Sequence, residues 1–150
     1  GYLVAPREVI GRAWSFKSGG AVSQFTAQTI AEYMKGGLDR HIDEQNQALM
    51  AKRDAMVSAL GENFGSSVEW SVPEGGLYCW VKFPEGTDLA AVQEEIFHEG
   101  VSYYNGSQFS PSGKGSNYVR LCFGHPTVET IREGIAEFAR ILDRKKVFPG

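Results

Sequence analysis

The sequence predicts an α+β domain, with helices packed on a small, mainly antiparallel sheet. Three observations predict it. Apolar residues recur at helical spacing over much of the first 60 positions, the period changes to two over residues 68–83, and helix and strand patterns alternate from there to the end. The 150 residues suffice for one domain with a real core, since chains of this size bury roughly 68–70% of their unfolded surface. Hydrophobic residues make up 42% and charged residues 22%, an ordinary globular balance that excludes a disordered chain.

Taken in order, Tyr2-Leu3-Val4-Ala5 reads as a short buried strand stopped by Pro6. Helical sequence follows from Arg7 to about Trp14, and Gly19-Gly20 interrupts it. Val22, Phe25, Ile30 and Met34 then step at helical intervals, which predicts one buried face, with a kink or break at Gly36-Gly37. A second helix is predicted from about Leu38 to Leu60, with Leu38, Ile42, Leu49, Met56 and Leu60 on its apolar side and Gly61 as its left-handed stop. Gln45, Lys52 and Arg53 lie between those positions, so this helix is expected to be partly buried. It would span roughly 35 Å at 1.5 Å per residue.

Val68, Trp70 and Val72 alternate with polar neighbours, and Pro73-Glu74-Gly75-Gly76 forms a turn. From Leu77 to Phe83 the alternation resumes, with Leu77, Cys79, Val81 and Phe83 on one face and Tyr78, Trp80 and Lys82 on the other. This predicts a hairpin-like antiparallel pair. Thr87 or Asp88 can cap a helix carrying Leu89, Val92 and Ile96 and closed by Gly100. A strand is expected over Val101–Tyr104 and another over Asn117–Phe123, with Val119, Leu121 and Phe123 inward. Finally Thr127 caps a helix with Val128, Ile131, Ile135, Phe138 and Leu142 on its apolar face.

Several function classes lose support at this level. The net charge is −3 and the 15 Lys and Arg are dispersed, so no basic stripe points to nucleic acid. No apolar run approaches the ~20 residues of a membrane helix, and the first residues do not read as a signal peptide. Two cysteines, Cys79 and Cys122, and three scattered histidines do not complete a metal site. Two readings stand for the cysteines, two reduced thiols in the core of a cytoplasmic protein, which is the expectation, and a single disulfide. Asn105-Gly106-Ser107 reads as a turn rather than a glycosylation acceptor, and Gly113-Lys114-Gly115-Ser116 fails the spacing of a phosphate loop.

Arg120 is the most informative single residue. Within Tyr118-Val119-Arg120-Leu121-Cys122-Phe123 it faces away from Val119 and Leu121. Burying a guanidinium is costly unless its fork meets an anion, and a carboxylate matches two of its parallel donors. Alternation leaves two readings open, an edge-strand arginine reaching solvent and an anchor for a carboxylate.

The ordered set Gly1-Tyr2-Leu3-Val4-Ala5-Pro6, His41-Ile42, Lys52-Arg53-Asp54, Pro73-Glu74-Gly75-Gly76-Leu77-Tyr78-Cys79-Trp80-Val81, Gly100-Val101, Gly106, Phe109 and Asn117–Phe123 resembles the class I/II aminotransferases of fold type I. The branch it is most similar to contains the 2-aminoadipate and aromatic aminotransferases. Gln45, Asn46, Leu49 and Asn105 depart from what relatives commonly carry there.

The resemblance implies a pyridoxal-phosphate (PLP) dependent enzyme that moves an amino group between an amino acid and a 2-oxo acid and forms a homodimer at full length. It implies that residues 1–60 are the end of a large domain with long connecting helices, and residues 61–150 a small C-terminal domain. Arg120 would bind the substrate carboxylate, with Asn117, Gly76 and Tyr78 as further substrate-binding positions. The stretch Gly19–Gln24 would lie near the neighbouring subunit's cofactor phosphate. No residue here matches the Schiff-base lysine, so catalytic and cofactor-binding residues are expected upstream of Gly1, and the chain alone is expected to be inactive. Other readings are the effector domain of an aminotransferase-like transcription regulator, a freestanding carboxylate-binding module, or a PLP-dependent lyase or decarboxylase of the same fold.

Overall fold

Helix formation dominates the first half of the chain in the computed structural model, which describes residues 3–20 and 22–148. Helix α1 spans Arg7–Ser15 and helix α2 spans Gln24–Phe64. The 41 residues of α2 would extend about 60 Å at 1.5 Å per residue. The helix passes through Gly36-Gly37 without interruption and continues past Gly61, so of the kink or break expected at Gly36-Gly37 no break occurs, and Gly61 is not a stop. The reason is that glycine weakens a helix by about 1 kcal/mol relative to alanine yet keeps its N–H in the ladder. The left-handed residue is Gly65, at φ +56°, which opens a 3₁₀ turn over Gly65–Ser67.

Two units divide the chain, Gly1–His41 and Ile42–Gly150. In the first, Leu3, Val4 and Ala5 belong to no strand, against expectation. A strand must satisfy its backbone groups on a neighbour, and no described residue of this unit supplies one. Tyr2 of the expected strand and Ala21 of the Gly19–Gln24 stretch lie outside the described residues, as does Gly1. Helix α1 buries none of its residues. The face of Val22, Phe25, Ile30 and Met34, expected to be buried, is exposed, Phe25 to 85%.

The second unit holds the sheet. Strands β1 (Glu69–Trp70), β2 (Tyr78–Lys82), β3 (Tyr104–Asn105) and β4 (Tyr118–Cys122) lie in the order β1-β2-β4-β3, every neighbouring pair antiparallel. Strand pairing sets Cys79 opposite Leu121 and Val81 opposite Val119. These four residues are buried, which follows from their alternation. They join a core that includes Ala55, Met56, Ala59, Leu60 and Phe64 from the end of α2. The C-terminal helix α4 (Val128–Lys145) adds Ile131, Ile135, Phe138, Ile141 and Leu142. Phe138 meets Phe64, Phe83 and Tyr103 with ring centroids 5.2–6.0 Å apart.

Thr127 caps α4 as expected, its hydroxyl accepting from the Thr130 N–H at 3.2 Å. Helix α3 is shorter than predicted and covers Gln93–His98. Asp88 instead accepts from the N–H groups of Ala90 and Ala91 and closes a turn ahead of the helix, whose own N-cap, Val92, has no side-chain acceptor. The strand expected over Val101–Tyr104 is reduced to Tyr104–Asn105, the two residues that pair with β4. Both cysteines are free thiols, but Cys122 is exposed rather than in the core, because it falls on the outward phase of β4. No helix among the described residues is long and apolar enough to cross a membrane.

Candidate carboxylate-binding site

The outward face of the sheet carries Arg120. Strand β4 is paired on both sides, with Trp80 of β2 and Tyr104 of β3 directly opposite Arg120. Arg120 is therefore central and half-buried, and the edge-strand reading is overturned. The period of two places Tyr78 and Trp80 on the same face, and antiparallel pairing brings Tyr78 diagonally beside the arginine.

The surroundings of the guanidinium are aromatic. Its Cζ stands 4.1 Å from the ring centroid of Tyr78, 4.3 Å from that of Phe109 and 4.9 Å from that of Tyr104. Phe109 belongs to a 3₁₀ turn, Gly106–Phe109, that follows β3 directly. Trp80 meets Phe109 edge-on at 5.4 Å, and Tyr104 meets it at 6.2 Å. No hydrogen bond or ion pair among the described residues reaches the Arg120 guanidinium, and its Nε is buried without a partner. A half-buried, unneutralised guanidinium is suited to an anion, and its planar fork to a carboxylate.

Asn105 locks the turn that carries Phe109. It is fully buried, and its amide donates to the Ser116 and Tyr118 carbonyls at 2.8 and 3.2 Å. Its Oδ1 accepts from the Ser107 N–H and hydroxyl at 3.0 and 2.6 Å. The asparagine is committed to the turn, as the reading of Asn105-Gly106-Ser107 required. Gly106 is needed there because a Cβ would stand 2.6 Å from both the Gly115 carbonyl oxygen and Tyr118 Cβ.

Of the four residues expected to bind substrate, the structure brings Arg120 and Tyr78 together. Asn117 lies at the start of β4 among Lys82, Thr87, Asp88 and Ser116, and its amide donates to the Phe83 carbonyl at 2.9 Å. Gly76, at φ +76°, lines a separate cavity of about 250 Å³ with Asn46, Leu49, Met50, Arg53 and Phe123. Arg53 reaches the Pro73 carbonyl at 3.4 Å, and Lys52 donates to the Gly124 carbonyl at 3.0 Å, so adjacent cations on α2 hold the turns on either side of Leu77 and Phe123. Sequence reasoning missed Trp80, Tyr104 and Phe109 as neighbours of Arg120. Alternation already set Trp80 on the outward face, but the other two depend on β3 and the turn after it. Among the described residues no cluster of His, Cys, Asp and Glu could hold a metal.

The family model for aminotransferase class I and II matches residues 1–138. The aromatic-amino-acid aminotransferase 1 of Thermococcus litoralis is 38% identical over 118 residues, which are 77% of this chain and 28% of that protein. The HTH-type transcriptional regulator YdfD of Bacillus subtilis is 26% identical over 145 residues, 95% of this chain and 30% of its own length. The solved structure of the α-aminoadipate aminotransferase LysN from Thermus thermophilus, complexed with N-(5'-phosphopyridoxyl)-L-leucine, covers 77% of this chain and 30% of that one. It matches with a TM-score of 0.72 at 26% identity. The chain thus spans under a third of the length of these relatives. The matched span runs from Gly1 past the β4 arginine and most of the way through α4, and the chain belongs to the class I and II aminotransferases.

Proposed function

We propose that this chain is the substrate-carboxylate portion of a PLP-dependent aminotransferase, an enzyme that transfers an amino group between an amino acid and a 2-oxo acid. The observation that carries the proposal is Arg120, a central-strand guanidinium with no acidic partner among the described residues. Its two terminal nitrogens can take both oxygens of one carboxylate, which sets the orientation of the α-carbon. Relatives named as aromatic and aminoadipate aminotransferases support the same reading. In this proposal residues 61–150 form the small C-terminal domain, and residues 1–60 belong to the end of the large domain and its connecting helices.

PLP, when bound, supplies the electron sink that amino transfer requires. The described residues do not fit a role as its covalent anchor. A lysine that forms a Schiff base must present a free amine. Lys82 is instead held protonated, its pKa pushed up by the hydrogen bond and charge of Glu69. Lys35 pairs with Glu32, Lys145 lies between Glu95 and Glu99, Lys17 donates to the Gly19 carbonyl and Lys52 to the Gly124 carbonyl, while Lys114 and Lys146 are exposed and line no cavity with Arg120. We therefore assign the cofactor lysine to residues outside this segment and expect no amino transfer from the 150-residue chain alone. Sustained transamination by that chain would contradict the assignment.

The test of Arg120 is kinetic, on the full-length PLP-loaded protein. Arg120→Ala should lower kcat/KM for amino-acid substrates about 10²–10³-fold, the scale of losing a bidentate charge-assisted pair. An unchanged kcat/KM would remove Arg120 from the site. A second reading is favoured by the likeness to YdfD over 95% of the chain. In it the same carboxylate site belongs to the effector domain of a regulator. Sequence-specific DNA binding by the full-length protein, with no turnover of amino acids, would select that reading.

A further inference from the structure

We infer that Tyr78, Tyr104 and Phe109 are positioning residues that hold the Arg120 guanidinium over their rings and leave its terminal edge free for one carboxylate. The inference rests on the reading of Arg120 as a carboxylate anchor. Arginine side chains are commonly steered by a neighbouring Asp or Glu. Such a partner would occupy the donors that the ligand needs and cancel the charge that attracts it. An aromatic face attracts the cation through its quadrupole and accepts none of the in-plane N–H groups. Here three rings, from β2, β3 and the 3₁₀ turn after β3, stand 4.1–4.9 Å from Arg120 Cζ, and no carboxylate pairs with it among the described residues.

Two further observations give this arrangement a direction. Arg120 Nε is buried and unpartnered, so the accessible donors of the fork are those on Nη1 and Nη2. A carboxylate would then bind end-on, with one oxygen to each terminal nitrogen. The rings themselves are 40–52% exposed, so burying them in a core does not account for their convergence. Neither the Tyr78 nor the Tyr104 hydroxyl makes a hydrogen bond among the described residues, which assigns the role to the ring rather than to the oxygen. Trp80, edge-on to Phe109, backs the cluster from β2.

The test uses the full-length PLP-loaded protein and isovalerate, a carboxylate without an amino group, whose Kd is read by calorimetry alongside KM and kcat for an amino-acid substrate. Tyr78→Leu and Phe109→Leu should each raise Kd and KM about tenfold with kcat within about twofold, the scale of a partly desolvated cation–π contact. Tyr78→Phe, which keeps the ring, should stay within about twofold of the parent in all three. Leu variants that leave Kd unchanged while Arg120→Lys raises it would overturn the positioning role and keep the anchor. An Arg120→Lys variant with unchanged Kd would overturn the anchor reading itself. Equal losses for Tyr78→Phe and Tyr78→Leu would assign the effect to the hydroxyl and also overturn the inference. Phe109 lies outside the sheet, so Phe109→Leu decides the matter if Tyr78→Leu fails to fold.

Discussion

Helix α2 carries apolar residues along its whole length, yet its two ends meet different surroundings. Phe25, Ile30, Tyr33 and Met34, near its start, are exposed. Ala55, Met56, Ala59, Leu60 and Phe64, near its end, are buried against the sheet and α4. Isolated helices gain little from propensity alone, and most helical stability comes from packing an apolar face. The comparison shows that helical spacing reveals which side of a helix is apolar without revealing what covers it. Side chains at the two ends should therefore differ in energetic weight far more than their chemistry suggests.

The largest contrast should appear on truncating one phenylalanine of the core that the end of α2 joins and one near the start of α2. Phe138→Ala removes a fully buried ring in contact with three other aromatics and should cost about 3–5 kcal/mol in urea denaturation. Phe25→Ala, at a position 85% exposed, should change stability by less than about 0.5 kcal/mol. Similar losses for the two would mean that the first part of α2 is covered after all.

Glycines sharpen the comparison at smaller scale. Gly106→Ala forces a Cβ against the Gly115 carbonyl and Tyr118 and should destabilise by about 1–3 kcal/mol. Gly36→Ala meets nothing within 4 Å and should raise helicity by circular dichroism, stabilising the helix by about 1 kcal/mol. A destabilising Gly36→Ala would show that an unseen surface contacts that turn.

The thiols extend the comparison to pH. Burial pushes the Cys79 pKa from 9.0 up to about 11. The folded state therefore holds that proton more tightly than the unfolded chain, so its contribution to stability is complete below pH 9 and declines as pH rises from 9 towards 11. Tyr103, also pushed up by burial, adds a loss of the same sign above pH 10. Urea midpoints between about pH 8 and pH 10.5 should fall less steeply for Cys79→Ala than for the parent. Iodoacetamide should label exposed Cys122 in the native protein and Cys79 only on unfolding. Equal labelling of both would mean that the sheet opens readily.

Much of the second unit was legible because its signals are local and agree with one another. The alternation through Cys79, Val81, Val119 and Leu121 named the buried face, and Thr127 named the start of α4. Errors arose where a local signal lacked its expected consequence. Gly36-Gly37 carries the signal of a kink or break and Gly61 that of a stop, but glycine in a helix only lowers its margin, and the ladder runs through both. Leu3-Val4-Ala5 has a strand's composition but no described partner edge. Asp88 has a capping side chain, which it uses on a turn five residues before α3 begins.

By itself the sequence determined the class of the fold, the inward and outward phases of β2 and β4, and the presence of one outward arginine among apolar neighbours. Those features depend on residue spacing along a single segment, and the chain's periodicity carries them. Only the tertiary structure decided that β4 is central rather than an edge, and that Tyr78, Tyr104 and Phe109 converge on Arg120. Strand order and the packing of a turn after β3 depend on contacts between segments far apart in sequence. A guanidinium's partners are set by those contacts, because attraction to a ring or a carboxylate falls off within a few ångströms and no spacing rule along one strand encodes it.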